Sequence, residues 1–301
     1  MVKRNRRRPR LKITGDGTGI VNHVGARLVA DLADQIGLSA SLSAAMPPTK
    51  QRRRGHDRGE VLVDVAVMLA DGGDTISDVA VLRDQPELFG VVASHPTVWR
   101  TLEAVDAAAL ERIKVARAQA RAAAWAAGVD PGCYVIDIDA TLIGAHSDKE
   151  HAAPTYKRGF GFHPLMAYLD ATGEALAGLL RPGNAGSGTA TDHVAVLDDA
   201  LAQLPIDLAD EAIEVIARAD SAGWSHEFVQ HCRARQANFV IGHRFTPDRS
   251  RPARLDPHPD PRRRLGHRRA ETIALLLVPH RRPDRHYRPT SRTPERSRRI
   301  D

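Results

Sequence analysis

The chain has 301 residues, of which 42% are apolar and only 4% aromatic, and its formal net charge is +6. This length allows about two domains of roughly 100–200 residues each. No apolar run approaches the roughly 20 residues of a membrane span, and the charged N-terminus lacks the apolar stretch of a signal peptide, so we expect a cytoplasmic protein with no membrane partner.

The positive charge is concentrated at the two ends of the chain. Residues 1–12 form a basic arm with seven Lys or Arg and no acid, and residues 246–301 carry 16 Arg against seven acids, which leaves −10 for residues 13–245. Basic arms on an acidic body favour a polyanionic partner, because Lys and Arg release condensed counterions when they neutralise phosphates. A solvated charged tail is the alternative. The basic residues predicted to contact such a polyanion are Lys3, Arg4, Arg6, Arg7, Arg8 and Arg10 in the arm and Arg52, Arg53 and Arg54 further along.

Residues 13–128 are predicted to form an all-helical domain. The apolar residues Leu28, Leu32 and Ile36 recur at near-helical spacing and predict one amphipathic helix over Gly25–Leu42. Further helices are predicted over Glu60–Ala70, from a Thr75 or Ser77 cap to Leu82, over Thr97–Ala109, and over Leu110–Ala127 with Gly128 closing the last one. The last helix is expected to connect this domain to the next.

The character of the sequence changes at Tyr134. Tyr134–Ile143 is β-branched and alternating, as is typical of a strand, yet it places Asp137 and Asp139 on the same face. Two apolar runs separated by Asp170–Gly173 predict a hairpin, so three antiparallel strands are expected. The predicted elements after Tyr134–Ile143 are strands over Gly161–Leu169 and Glu174–Leu180, a helix capped by Ser187 or Thr189 and reaching about Leu204, a strand over Glu214–Ala219, a helix over Ser225–Arg235 and a strand over Asn238–His243.

The resulting order, βββαβαβ, is that of the ribonuclease-H-like fold, an α/β fold with a mixed sheet, which we predict for residues 129–245. Asp139 closes the first strand and Asp220 closes the fourth, and these two strands are expected to be neighbours. Carboxylates at one sheet edge repel unless a cation lies between them. Mg²⁺ prefers carboxylate oxygens, and two such ions about 4 Å apart can activate an attacking oxygen and stabilise a leaving one. A single Asp in such a place is usually a turn or cap residue, but the pair favours phosphodiester chemistry.

Three segments resemble a known family. Residues 137–184 (DIDATLIGAHSDKEHAAPTYKRGFGFHPLMAYLDATGEALAGLLRPGN) and 217–242 (ARADSAGWSHEFVQHCRARQANFVIG) resemble the catalytic domain of DDE transposases of the insertion-sequence thirteen-eighty family. Residues 56–90 (HDRGEVLVDVAVMLADGGDTISDVAVLRDQPELFG) resemble its N-terminal region, and the similarity covers roughly residues 13–246.

The resemblance implies a DNA transposase of a bacterial insertion sequence, acting near the nucleoid. It implies that Asp139, standing before Ala140 and Thr141, is the first catalytic acid and Asp220 the second, with Asp137 as the alternative metal ligand on the first strand. It also implies two Mg²⁺ or Mn²⁺ ions and no small-molecule cofactor. The implied partner is double-stranded DNA, both the transposon ends and the target, with residues 13–128 as a helical DNA-binding domain. A homodimer assembled on DNA is expected.

Two further stretches are candidates for DNA contact. Tyr156, Lys157 and Arg158 open a run of interleaved basic and aromatic groups that suits phosphate contact and base stacking. Arg181 and Asn184 lie before a predicted helix N-terminus, which favours a phosphate oxygen. An edge strand with packed Phe residues and a structural turn are the respective alternatives.

The sequence changes again near Thr246. Residues 246–301 contain 16 Arg, nine Pro and no Lys, which is not the composition of a folded domain, so an irregular tail is predicted. An out-of-frame reading of a G+C-rich gene is the favoured origin, and a natural basic tail is the alternative. The resemblance places a third acid, a Glu on a helix, beyond this point, but Glu271 and Glu295 are the only Glu residues there and neither fits that pattern.

With two of three ligands, the catalytic domain is predicted to be incomplete and catalysis to be weak or absent. A catalytically dead DNA-binding remnant is the second hypothesis. A Mg²⁺-dependent nuclease with the ribonuclease-H-like fold is the third, because a fold alone does not determine a substrate. Cys133 and Cys232 lie far apart without a CxxC pattern, so they indicate neither a zinc knuckle nor a disulfide framework, and both are expected to be structural.

Overall fold

The computed structural model describes residues 8–12, 14–15, 22–46, 55–186, 189–210, 212–244 and 273–278, with the backbone alone at 222, 243–244 and 273–278. These residues contain two hydrophobic clusters. One is formed by helices between residues 26 and 116, and the other surrounds a mixed β-sheet between residues 125 and 241. No helix in these ranges is both long and apolar enough to cross a membrane.

The first part of the described chain is helical. Its helices are α1 (Val24–Gln35), α2 (Leu38–Ala45), α3 (Arg58–Ala70), α4 (Val79–Arg83), α5 (Pro86–Phe89), α6 (His95–Glu103) and α7 (Ala107–Ala124). Aspartates cap two of the longer ones: the Asp57 carboxylate accepts from the Glu60 amide at 3.0 Å, and the Asp106 carboxylate accepts from the Ala109 amide at 2.7 Å. Such caps satisfy amide groups that have no partner within the helix.

Two of the predicted helices have different bounds in the structure. The single helix predicted over Gly25–Leu42 is two helices, because the chain turns at Gly37 with φ +80°, a left-handed conformation that glycine adopts without steric cost. The helix predicted over Thr97–Ala109 ends at Glu103, since Asp106 starts α7 as its N-cap.

The buried face of α1 is the reverse of the predicted one. Its alanines Ala26, Ala30 and Ala33 are buried, whereas Leu28 and Leu32 are 57% and 53% exposed. The small alanine side chains let α1 lie close to its neighbours, so the larger apolar residues are left on the outside. The sequence pattern predicted a helix here, but its large apolar residues face outward and its small residues face the core.

The second part of the described chain is built on a six-stranded sheet. In chain order its elements are β1 (Tyr134–Ala140), β2 (Ile143–Gly144), β3 (Ala153–Pro154), β4 (Phe160–Phe162), β5 (Leu165–Leu169), β6 (Glu174–Leu179), α8 (Ala190–Leu201), β7 (Val215–Ala219), α9 (His226–Ala234), β8 (Asn238–Arg244) and β9 (Ile273–Val278). The main sheet has the order β6-β5-β1-β7-β8-β9, and a small sheet has the order β2-β4-β3.

The first strands follow the prediction closely. β1 pairs antiparallel with β5, and β5 pairs antiparallel with β6 through the turn at 170–173, which confirms the predicted hairpin and the three antiparallel strands. The run predicted as one strand over Gly161–Leu169 is divided, because β4 belongs to the small sheet and β5 to the main one. β7 is parallel to β1, and β8 is parallel to β7.

The predicted tail is described only at Ile273–Val278, the short apolar run within it. This run forms β9, which pairs antiparallel with β8, whereas we expected an irregular tail; the rest of the predicted tail lies outside the described residues. Glu271 and Glu295, the two Glu residues weighed as the third acid, lie outside the described residues.

Helix α7 packs into both hydrophobic clusters. Ala116 belongs to the helical cluster, whereas Trp125, just after the end of α7, belongs to the cluster around the sheet. Polar contacts reinforce this connection: the Lys114 ammonium lies 2.8 Å from the Asp199 carboxylate, and the buried Arg121 guanidinium donates to Glu174 and Gln203. The connecting helix is therefore joined by polar contacts to β6, to α8 and to Gln203 just after α8.

Candidate active site at the strand ends

The two predicted acids lie at the same end of neighbouring strands. The parallel register of β1 and β7 runs from Tyr134 opposite Val215 to Ile138 opposite Ala219. Asp139 and Asp220 each follow the last of these pairs, and both are exposed. The sequence-based expectation that β1 and β7 are adjacent is therefore confirmed at the level of the backbone.

Strand alternation places the acids on the outward face of the sheet. Ile136 and Ile138 are buried in the core, so Asp137 and Asp139 project from the opposite face of β1. On β7, Arg218 and Asp220 share that same outward face, because Ala217 and Ala219 are buried. The outward face thus carries an Asp137–Arg218 pair and, one step further along both strands, Asp139 and Asp220.

Arg218 forms an ion-paired cluster beside the two acids. Its Nε and Nη2 donate to the two carboxylate oxygens of Asp137, and Nη2 also donates to Asp170 Oδ1 at 2.8 Å. The hydrogen bond with Asp137 is the main cause that raises the pKa of Arg218 above its ordinary value. Neither Arg218 nor Asp170 was predicted from the sequence as a site residue. The available signal was the alternation in Ala217-Arg218-Ala219-Asp220, which places a cation on the same face as the acid.

Gly242 on β8 provides room beside Asp220. Ala219 is paired with Ile241, so the next position of β8 lies beside Asp220. A Cβ atom added at Gly242 would lie 3.0 Å from the Ser221 amide nitrogen and 3.3 Å from the Asp220 carbonyl carbon. These contacts are tight and involve backbone atoms, so a larger residue would displace the segment that carries the acid.

The donor chemistry of Asp139 and Asp220 fits a divalent metal ion. Mg²⁺ is usually bound through one or two carboxylates, with waters and substrate phosphates as its other ligands. Asp139 Oδ1 accepts from the Ala140 amide at 2.8 Å, which leaves lone pairs on this carboxylate for a further ligand. Among the residues that the structure describes, no cluster of three His, Cys, Asp or Glu forms a metal site, so a third protein ligand is not found there.

An exposed basic and aromatic hairpin lies between the two candidate acids in the sequence. Tyr156 is 68% exposed, and the Lys157 ammonium lies 5.7 Å from the centre of its ring. Arg158 is exposed at the turn between β3 and β4 and has a positive φ of 63°. Asn184 is exposed as well. These four residues are accessible to a ligand, as the proposed DNA contacts require.

One contact near this hairpin was not expected from the sequence. The Lys149 ammonium lies 6.0 Å from the centre of the ring of Trp99, an exposed residue of α6. The contact links the helical part of the chain to the loop before β3. A lone Trp in a helix of mixed composition gives no signal of this pairing.

Two residues expected to contact phosphate are instead buried against protein groups. Arg8 donates to the Asp34 carboxylate at 2.9 Å and lies 3.4 Å from Asp64, and Arg181 donates to the His163 carbonyl at 3.0 Å and lies 3.4 Å from Asp192. Both side chains are at most 5% exposed. In this arrangement the two guanidiniums stabilise the fold, and a role as surface phosphate contacts does not agree with their position.

The remaining basic candidates are only partly described. Arg10 is exposed in the short described stretch before residue 13. The candidates outside the described residues are Lys3, Arg4, Arg6, Arg7, Arg52, Arg53 and Arg54.

Comparisons with known proteins give a family and several solved structures, including two transposase complexes. A family model described as "Transposase DDE domain group 1" matches residues 3–251. The structure of a piggyBac transposase synaptic complex with hairpin DNA is similar with a TM-score of 0.39 and 13% identity, over 79% of this chain and 55% of that chain. The Mos1 transposase paired-end complex with the left transposon end has a TM-score of 0.24 and 10% identity, over 73% of this chain and 78% of that chain. No curated protein sequence matches the chain.

Proposed function

The chain belongs to the DDE transposase domain group 1 family, and on this basis we propose that it is a DNA transposase of a bacterial insertion sequence. We assign it to the insertion-sequence thirteen-eighty family and its sheet to the ribonuclease-H-like fold. The strand order β6-β5-β1-β7-β8, with α8 before β7 and α9 before β8, supports this fold assignment. The proposed reaction is cleavage at transposon ends and transfer of the resulting 3′ hydroxyls to a target.

The observation that carries the proposal is the position of Asp139 and Asp220 at the ends of two adjacent parallel strands. These carboxylates would hold Mg²⁺ or Mn²⁺, with two ions in an intact site. The metal supplies activation of the attacking oxygen and stabilisation of the leaving oxygen during phosphodiester cleavage. The two aspartates would hold the ion at the exposed end of the sheet, where a phosphate of DNA could reach it, since both stand outside the hydrophobic core.

Double-stranded DNA is the proposed partner. Lys157 and Arg158 would contact phosphate oxygens, Tyr156 would stack on a splayed base, and Asn184 and Arg10 would add polar contacts. Contacts of this kind position DNA without reading its sequence, and their strength falls as salt rises. We propose that two copies of the chain assemble on DNA, because a transposase must bring two DNA ends together.

We propose that catalysis by this chain is weak. The described residues supply two carboxylates and no third metal ligand, so the site would be under-coordinated. The same observation favours the second candidate function, a transposase remnant that binds DNA but does not cut it. Either way, the reaction class of the family is nuclease and strand-transfer chemistry on DNA.

The test uses the purified chain, duplex DNA from the flanks of its gene, and Mn²⁺. Binding of DNA and of Mn²⁺ is measured first. We expect Asp139→Asn and Asp220→Asn each to weaken Mn²⁺ binding at least tenfold without changing DNA affinity. We expect Lys157→Ala with Arg158→Ala to weaken DNA binding and to reduce its salt dependence.

Three outcomes decide between the candidates. Unchanged Mn²⁺ affinity in both Asp variants would show that the site is misassigned. Cutting of an RNA–DNA hybrid in preference to the flanking duplex would favour the ribonuclease-H-like nuclease over the transposase. Robust strand transfer that is abolished by Glu271→Gln or Glu295→Gln would show that the tail supplies the third acid and that the proposal of weak catalysis is wrong.

A further inference from the structure

We propose that Arg218 selects which carboxylate of β1 binds the metal ion. By holding Asp137 in an ion pair, it reserves Asp139 as the partner of Asp220. This inference rests on the proposed function, because it concerns the same metal site.

Strand geometry makes such a selection necessary. Asp137 and Asp139 are two residues apart on the same face of β1, so their backbones are separated by roughly 7 Å. An aspartate side chain and a metal–oxygen bond of about 2 Å bridge much of that distance. Without a further constraint, β1 therefore offers two alternative ligands to one cation. The two choices would place the metal at different positions along β1.

Arg218 satisfies one of these two alternatives and leaves the other. It lies directly opposite Asp137 in the parallel register of β1 and β7. Its planar guanidinium meets the Asp137 carboxylate with two N–H groups, one to each oxygen. This two-point geometry is specific to arginine, and the guanidinium stays protonated at any physiological pH. Asp139, by contrast, accepts from the amide of its neighbour Ala140.

Asp170 holds the guanidinium on the Asp137 side of the sheet. Arg218 Nη2 donates to Asp170 Oδ1 at 2.8 Å, and Asp170 stands in the turn that follows β5. The position of that turn is fixed by its own backbone, since the Asp170 amide donates to the Val135 carbonyl at 2.9 Å. The guanidinium is therefore anchored by the turn after β5 as well as by Asp137 of β1.

The charge of Arg218 adds to this selection. A divalent cation close to Asp137 would lie next to the guanidinium and would be repelled by it. In water with physiological salt, a unit positive charge about 7 Å from a divalent cation lowers the protein's affinity for that cation by roughly threefold. The Asp139–Asp220 position is the one further from this repulsion.

Mn²⁺ binding to the full chain tests the inference, measured by calorimetry and by electron paramagnetic resonance. Asp139→Asn alone should reduce Mn²⁺ affinity at least tenfold, because Arg218 keeps Asp137 occupied. Asp139→Asn combined with Arg218→Ala should recover most of that loss, since Asp137 is released and substitutes as the ligand. Adding Asp137→Asn to this double variant should abolish the recovery. Arg218→Ala alone should bind Mn²⁺ about threefold more tightly.

Two variants guard against misfolding. Arg218→Gln keeps the length of most of the side chain, and Asp170→Asn weakens the anchor while leaving Asp137 untouched; each should give a smaller recovery in the same direction when combined with Asp139→Asn. The inference is overturned if Asp139→Asn loses Mn²⁺ binding and none of the combined variants that fold, as judged by circular dichroism, restores it. Unchanged Mn²⁺ binding by Asp139→Asn alone would also overturn the inference, because Asp137 would then substitute without being released. Failure of the proposed site itself would look different, because Asp220→Asn would then bind Mn²⁺ like the unaltered chain.

Discussion

Replacing Arg121 tests whether the connection between α7 and the sheet stabilises the protein. The Arg121 side chain is only 2% exposed. Its Nε donates to Glu174 Oε2 at 3.0 Å, and its Nη1 donates to the Gln203 carbonyl at 2.8 Å and to Gln203 Oε1 at 3.1 Å. Arg121→Ala removes all of these donors at once. The Glu174 carboxylate, the Gln203 backbone carbonyl and the Gln203 side-chain oxygen then lose these hydrogen bonds.

The expected cost follows from burial. Removing one partner of a buried ion pair typically costs about 3–5 kcal/mol. The Glu174 side chain is 42% exposed, so water replaces part of what it loses. We therefore expect Arg121→Ala to lower the free energy of unfolding by about 2–4 kcal/mol.

Arg235 provides a matched control, because it also meets one carboxylate with two N–H groups. Its Nε and Nη2 lie 2.8 and 2.9 Å from the two oxygens of Asp198, but its side chain is 49% exposed. Arg235→Ala should cost no more than about 1 kcal/mol. Urea unfolding of both variants, followed by circular dichroism and by tryptophan fluorescence, gives the comparison. If Arg121→Ala costs no more than Arg235→Ala, burial of the α7 contacts does not stabilise the protein as we argue.

The two remaining predictions concern titratable groups. Burial acts to raise the pKa of Asp198, but hydrogen bonds from Arg235 and His231 outweigh it and hold the pKa below its ordinary value. A carboxylate with a lowered folded-state pKa stabilises the protein above its unfolded pKa of about 3.9. In urea titrations, the difference in unfolding free energy between wild type and Asp198→Asn should therefore be full at pH 6 and should disappear as the pH falls below about 4. An equal difference at pH 6 and pH 3 would contradict this. Burial raises the pKa of the Cys232 thiol to about 12, whereas Cys133 is exposed. Iodoacetamide at pH 8 should therefore modify Cys133 alone in the folded chain. Rapid modification of Cys232, detected by mass spectrometry, would contradict the structure.

Local sequence patterns predicted most of the sheet and the backbone of the candidate site. Alternation in Tyr134–Ala140 and the turn residues at 170–173 are short-range signals, and both elements are found where they were predicted. The adjacency of β1 and β7, which lead to Asp139 and Asp220, followed from the order of strands and helices. It did not require knowledge of side-chain contacts, because the ends of neighbouring parallel strands meet at one edge.

Contacts that depend on tertiary packing were not predictable in this way. Arg8 and Arg181 are ordinary basic residues in the sequence, and only the fold shows that aspartates and carbonyls surround them. The buried side of α1 could not be predicted for a similar reason. Periodicity identifies an apolar stripe, but it does not show whether Leu28 or Ala30 faces the neighbouring helices. Arg218 was missed because its partner Asp137 is far away in the sequence.

The sharing of α7 between two cores bears on how this protein can be dissected. A cut at residue 128, where the sequence places the domain boundary, would leave Trp125 on one fragment and the rest of its hydrophobic cluster on the other. The C-terminal fragment would expose apolar surface to water and would tend to aggregate. A fragment beginning at Asp106, the N-cap of α7, would keep the whole helix with the sheet and expose only the side of α7 that meets the preceding helices. Because α7 also packs against α2, where Arg112 Nε donates to the Ala45 carbonyl at 2.6 Å, either cut divides the contacts of this helix.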